Sequence, residues 1–558
     1  MIQTSQTPKF STTNKLFCNL GDSLLGFLAF LLITPTLCLW FTPTLTPVIA
    51  IIAILSGMAF SLYLNRNNLK YGLLVVVLLA LIVVGIYQLS NLFVDTSWDG
   101  WSYHQPAVIA LIEGWNPIKE PDLKLWWESV KTAKEYKLVL GDLGSNFRWV
   151  THYAKASWIM SAVIAKITGN IESAKFINLL AIIACFFNAY KLFKSFNISL
   201  FSAVVFALLY AANTIAISQF TTAYIDGFLG SIFGILLASS ILWLKNHKLE
   251  DAFNILFSSL ILINIKFSGI AYLGIVYAMI LIGVFIFRRS AIYKTVVLLG
   301  SSFTIGICIG YNPYLVNLKD HGYLFYPLNE VDILARQVAP EFLQKNRIVK
   351  FFWSMYAKVD NSGQDLPKIK FPLTVSKSER NLFRYVCDIR FSGFGPLFGF
   401  IFTVFLFCTI ISLKDIFKSI ELKLISLALF TIIIATILFP ESWWARYVPQ
   451  LWYAPVLLSF SLFITGRLRA AFLLALSIFI NLAIVANDRI TSQYELAGII
   501  RNDFYKILSE KLIKIYPTNI CFTIPIVYHA AQHGVHISVT DSPNHCKPTA
   551  DGHFQTCG

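Results

Sequence analysis

The sequence predicts an all-α polytopic membrane protein, and three observations carry that reading. Hydrophobic residues make up 56% of the 558 positions and charged ones only 13%, a balance that soluble globular domains do not have. Apolar runs of about 17–25 residues, the length that crosses a hydrocarbon core of about 30 Å, recur along most of the chain. Lys and Arg collect on alternate connections between these runs, as the positive-inside rule requires. The formal charge of +15 resides largely in those connections, so no nucleic-acid partner is implied.

About 13 spans are expected, near 24–41, 48–64, 71–93, 172–193, 198–217, 224–244, 251–265, 268–287, 292–310, 394–413, 422–439, 450–465 and 469–487. The first reads as a retained helix, because Lys9 and Lys15 precede it and no small-residue cleavage site follows. Lys191/Lys194, Lys245/Lys248, Arg288/Arg289 and Lys414/Lys418 fall on the same side as the N-terminus, whereas 42–47 and 218–223 carry no Lys or Arg. The expected orientation is therefore a cytoplasmic N-terminus and an external C-terminus, with loops 94–171 and 311–393 sharing the external face. Within the first loop, 155–168 is apolar but short, which predicts a helix lying in the membrane interface. The second loop is rich in Pro, Tyr and Asn and predicts turns and short helices.

Beyond the last span the expectation is a helix from Asp488 to about Lys514. An apolar run at Ile520–Ile524, a helix at 526–533 and an alternating run at 535–540 follow, together a small α/β external tail. Cys521, Cys546 and Cys557 lie there, enough for one disulfide of unspecified pairing. Three units are expected: 1–70, an N-terminus plus a helix hairpin; 71–487, the transmembrane domain; and 488–558, the tail.

The chemistry is expected at VDTSWDGWSYHQP, residues 94–106, which directly follows an apolar run. Asp95 and Asp99 stand at the mouth of that helix, where carboxylates are costly unless they work or simply mark the exit from lipid. Asp226 begins a later span at the same end and either completes an acidic cluster or serves as a first-turn carboxylate. Lys266 and Arg446 fall at the external boundary and suit a phosphate group, snorkelling being the bland alternative. Arg390 is a further phosphate candidate, unless it pairs with Asp388 or lipid. Tyr103, His104, His152 and Tyr447 are candidate substrate contacts, while Asn312 shapes a turn first and meets ligand second. No CxxC spacing occurs in the chain and no HxH or HxxxH spacing occurs near the acidic loop, so no metal ligands are expected.

The order of these pieces resembles the GT-C superfamily of polyprenyl-phosphate-sugar-dependent glycosyltransferases, over about residues 71–487. The nearest look is to the bacterial group of protein O-mannosyltransferases and lipid A aminoarabinose transferases. Asp99 four residues before Tyr103, TTAYIDG at 221–227, NIKFSG at 264–269, GYNPYLVN at 310–317, DIRFSGFGPLFG at 388–399 and PESWWARYVPQ at 440–450 carry the likeness. Two features depart from it: the additional helix hairpin before residue 71, and Gly100 where the family's motif has an acidic residue beside the aspartate. The resemblance implies a GT-C-like bundle in a bacterial inner membrane, with the C-terminus periplasmic. It further implies transfer of a sugar from a polyprenyl-phosphate carrier to an envelope glycan, lipid or protein, with Asp99 or Asp95 as base. A divalent cation is left open as a cofactor. An O-antigen ligase or polymerase would concentrate Arg and His in a late loop, and a lipid-linked-sugar flippase would place charges in mid-helix.

Overall fold

The computed structural model describes residues 12–131, 144–329, 337–363, 365–415, 418–508, 512–517, 523–532, 535–539, 546–548 and 554–557. Among them, nine helices are long and apolar enough to cross a membrane: Thr13–Phe41, Pro47–Leu64, Leu69–Asn91, Ile171–Lys194, Asp226–Asn246, Phe267–Phe287, Arg289–Ile309, Ile420–Leu438 and Leu468–Ile499. The chain is a multi-pass helical membrane protein.

The expected count of 13 is not reached among the described residues, because several apolar runs fold as shorter helices. The stretch 198–217 breaks into Leu200–Ala211 and Thr214–Gln219. At the break, Asn213 accepts the Ile215 N–H at 3.0 Å, the side-chain cap that Asn makes more readily than it continues a helix. Leu249–Ile265 has 17 residues, Phe398–Ser412 has 15 and Tyr453–Ile464 has 12. At 1.5 Å per residue the last two fall well short of about 30 Å.

Burial sorts the helices by position. Asp226–Asn246 is enclosed over its whole apolar window, whereas only 22% of the corresponding windows of Leu69–Asn91 and Arg289–Ile309 is buried. Leu73, Val77, Leu81 and Val84 face outward on the former, as a lipid-facing surface requires. The helix Ala156–Thr168 corrects its expected interfacial position. Residues 156–165 are all buried, and the helix packs against Thr12–Phe41, Pro47–Leu64 and Gln105–Glu113. A helix buried on every side over ten residues belongs inside a bundle rather than on a surface.

At the end of the bundle carrying the basic connections, Lys191 does not snorkel. Its Nζ lies 3.0 Å from Asp22 Oδ1 and 2.8 Å from Asp251 Oδ1, tying three helices together. At the other end, Asn116 Nδ2 donates to Leu39 O and Thr42 O at 2.9 and 3.0 Å, which binds the first large loop to the turn of the N-terminal hairpin.

The last span does not stop near residue 487. One helix runs from Leu468 to Leu508, so the expected boundary at 487/488 falls inside it. Lys514, expected at the end of a helix, lies in a strand. Four strands, β1 (Leu512–Pro517), β2 (His536–Val539), β3 (Cys546–Pro548) and β4 (Phe554–Cys557), form a sheet in the order β2-β1-β4-β3, with the helix Thr523–Gln532 between β1 and β2. That helix docks on the bundle: Gln532 Nε2 donates to Gly169 O at 2.6 Å, and His529 Nε2 lies 2.8 Å from Glu172 Oε1. Cys546 is disulfide-bonded, and Cys521 lies outside the described residues.

A candidate anion-binding active site

Asp99 leads into a five-residue π-helical turn, Gly100–His104, which runs on into the helix Gln105–Glu113. Gly100 is there for want of space. A Cβ would lie 2.1 Å from Asp95 Oδ2 and 2.4 Å from Ser97 Oγ, so any other residue displaces those two side chains.

Asp95 is occupied by backbone. Its Oδ1 accepts the Ser97 N–H at 2.9 Å, and its Oδ2 accepts the Ala223 N–H at 2.9 Å, clamping the acidic loop to the segment before Asp226. Its own N–H donates to Glu172 Oε2 at 2.9 Å. Burial, followed by the charge of Glu172, raises its pKa.

Asp99 meets different partners. Arg446, in a short turn between Ile420–Leu438 and Tyr453–Ile464, points Nη1 at Asp99 Oδ2 (3.1 Å) and at Asp388 Oδ2 (3.4 Å), and its Nε lies 4.0 Å from Asp226 Oδ2. Asp226, in the first turn of its helix, pairs with Lys266 Nζ at 2.6 Å. Lys266 is the single extended residue between Leu249–Ile265 and Phe267–Phe287 (φ −159°, ψ 147°), a break that turns its side chain out of both helices. Gly269 permits the break, since a Cβ there would lie 2.0 Å from Leu262 O.

Aromatic faces enclose the cations. The Arg446 guanidinium lies 4.5 Å from the Trp444 ring, 5.1 Å from Tyr447 and 5.5 Å from Tyr224, and Lys266 Nζ lies 4.5 Å from Tyr447. The result is three carboxylates and two cations in an aromatic box at one end of the bundle. Asp99 and Asp388 form its open side, with 17% and 23% of their side chains exposed against 4% for Asp226.

His104 is buried beside this cluster. The Trp158 Nε1–H can only donate, and it does so to His104 Nδ1 at 2.7 Å. The neutral ring must then carry its proton on Nε2. Burial brings its pKa down to about 4, against the opposing pull of Asp99 and Asp226, so the ring is neutral throughout the physiological range.

Asp388 is the residue that sequence reasoning passed over, naming it only as a partner for Arg390. Its pKa rises to about 6, chiefly by burial and also through Asp99, while Arg446 opposes the rise; Tyr224 hydrogen-bonds it. It is the first residue of the 388–399 motif, and an acid two residues before Arg390 was the signal available. Arg390 itself donates to Asn361 O, its guanidinium lies 5.7 Å from the Trp444 ring that Arg446 also faces, and its charge opposes the rise at Asp388.

Two expected contacts lie elsewhere. His152 Nδ1 is 2.9 Å from Asn317 Oδ1, its ring packs on His321 and Tyr326, and burial lowers its pKa to about 4. Asn312 accepts from Lys155 Nζ at 2.7 Å and donates to Pro117 O at 2.6 Å, fixing the turn expected of it. Tyr103 stacks near His104, and burial, reinforced by Asp99, drives its hydroxyl pKa well up. Among the described residues, no group of three His, Cys, Asp or Glu side chains is arranged to hold a metal ion.

Fold and site together define a multi-pass helical membrane protein with a partly buried acid–base cluster set at its helix ends. Compared with protein-family models, curated proteins and solved structures, the chain matches none.

Proposed function

We propose that the protein is an integral membrane glycosyltransferase of the GT-C kind, taking a sugar from a polyprenyl-phosphate carrier and placing it on a cell-envelope glycan, lipid or protein. The observation that carries this reading is the meeting of Asp99 with Arg446, and of Asp226 with Lys266, in one partly open cluster. Such a transfer needs a base for the acceptor and cations for the departing phosphate, and both kinds of group stand side by side here.

Asp99 takes the proton from the acceptor hydroxyl as its oxygen bonds to the anomeric carbon. The bond from that carbon to the phosphate oxygen breaks, and the phosphate leaves with the electron pair. Arg446 suits a two-point contact with phosphate and Lys266 a point charge. Asp226 keeps Lys266 in place, and the fixed Nε2–H of His104 offers a neutral donor beside it. Asp95 acts as a positioning residue through its two backbone contacts. The disulfide at Cys546 supports an oxidising, periplasmic side for the tail in a bacterial inner membrane. The N-terminus then lies in the cytoplasm.

The test is transfer of radiolabelled sugar from purified polyprenyl-phosphate sugars in detergent. Asp99→Asn is expected to lower turnover by about 10²–10⁴ while donor binding persists. Normal transfer by that variant, or no donor consumed by the native protein, refutes the reading.

A further inference from the structure

The cluster has a charge problem that bears on what it binds. Asp99, Asp226 and Asp388 bring three negative charges, and Arg446 and Lys266 bring two positive ones. His104 is neutral and Asp95 is held apart by backbone N–H groups, while Arg390, engaged with Asn361 O, offsets the Asp388 charge more weakly than Arg446 does. Both cations already have carboxylate partners. A phosphodiester entering this enclosure adds a further negative charge to a group of side chains that are each at least three-quarters buried. A surplus of that size is not sustained at low dielectric, where unpaired charge is neutralised instead.

Three carboxylates could give way, and the geometry separates them. Asp226 is gripped by Lys266 at 2.6 Å with Arg446 at 4.0 Å and is nearly closed to solvent. Asp99 has the shorter contact with Arg446 Nη1, at 3.1 Å. Asp388 has the weakest hold: it shares that same nitrogen at 3.4 Å, its other hydrogen bond is with the neutral Tyr224 hydroxyl, Arg390 attracts it more weakly than Arg446, and its side chain is the most open of the three.

We propose that Asp388 is a ligand-binding residue that takes up one proton from solvent as the phosphate arrives, and that the resulting carboxylic acid donates a hydrogen bond to the phosphate oxygen replacing it on Arg446. This rests on the transferase reading above and deepens it. The proton removes the surplus charge, releases Nη1 for phosphate and leaves Asp99 ionised to act as base. The position of the Asp388 pKa, already raised to about 6 by burial and by Asp99, agrees with this and makes uptake at neutral pH inexpensive.

The experiment is calorimetric titration of the purified full-length protein in detergent with a methyl decaprenyl phosphodiester. This probe carries one permanent charge and no group that titrates near neutrality. Heats measured at pH 7.5 in several buffers of different ionisation enthalpy give the number of protons taken up. Native protein is expected to take up close to one proton per ligand, and its Kd should weaken about tenfold for each pH unit above about 6. Asp388→Asn is expected to bind with no proton uptake and with a flat pH dependence. Binding by the native protein without proton uptake overturns the proposal and leaves the transferase reading standing. So does binding that EDTA abolishes, or an Asn variant that takes up the same proton. Failure of the phosphodiester to bind at any pH overturns both.

Discussion

Replacing Asp388 by Asn should stabilise the protein at neutral pH and leave it unchanged in acid. The Asp388 carboxyl is raised from an ordinary 3.8 to about 6, first by burial and then by Asp99. Ionising it therefore costs more in the folded protein than in the unfolded chain. Below pH 3.8 both states are protonated and there is no penalty. Between 3.8 and about 6 the folded state holds the extra proton, so stability falls as pH rises, and above about 6 the loss is complete. The interval corresponds to about 3 kcal/mol, which solvent screening of a side chain 23% exposed reduces to about 2. Asn keeps an oxygen for Arg446 and cannot ionise. Thermal unfolding in detergent, followed at pH 7.5 and pH 4, is the assay. The variant's midpoint should lie above the native one at pH 7.5, and the two should coincide at pH 4. A separation that is the same at both values, or a variant less stable at both, refutes the account of Asp388 as a carboxylate short of counter-charge.

Three further expectations concern the surroundings of the cluster. Trp158→Phe removes the only hydrogen bond found on His104 Nδ1 among the described residues, so ¹⁵N-histidine spectra should change from a single Nε2–H form to a mixture, with transfer falling up to about tenfold; unchanged spectra would sink the fixed tautomer. Asp95→Asn keeps one of the two backbone N–H contacts and sets its amide N–H against the donor of the other, at about 1–3 kcal/mol of stability. Transfer per folded molecule should remain near native, and a selective loss of turnover would make Asp95 the base instead. His529→Ala removes the contact with Glu172, so limited proteolysis should cut the tail about fivefold faster for about 1 kcal/mol, with transfer unaltered. Equal cutting rates would show that the tail does not depend on that bond.

Much of the architecture is local and was therefore legible in the chain. The membrane class, the approximate places of the long spans and the helix-end locations of Asp99, Asp226, Lys266 and Arg446 follow from apolar runs and what interrupts them. What misled was also local. Ala156–Thr168 has a length and composition that fit a surface helix as well as a buried one, and only its neighbours decide. The run at 198–217 is apolar enough to be continuous, but Asn213 caps a new helix and donates to Pro449 O at 2.8 Å, a partner remote in sequence. The helix that ends the last span continues to Leu508, because a helix can leave lipid without changing its backbone.

By itself the sequence determined that this protein lives in a membrane and that a few acids and bases are held at the ends of its helices, since hydrophobicity and charge spacing are properties of neighbouring residues. Only the tertiary structure decided which of them meet. Arg446 reaches Asp99 across 347 residues and Asp388 across 58, and Lys266 reaches Asp226 across 40. It decided as well that Asp95 faces backbone while Asp99 faces a guanidinium, although four positions separate them in one loop. Pairing of this kind depends on how helices pack, and helix packing is set by contacts between segments that no local pattern specifies.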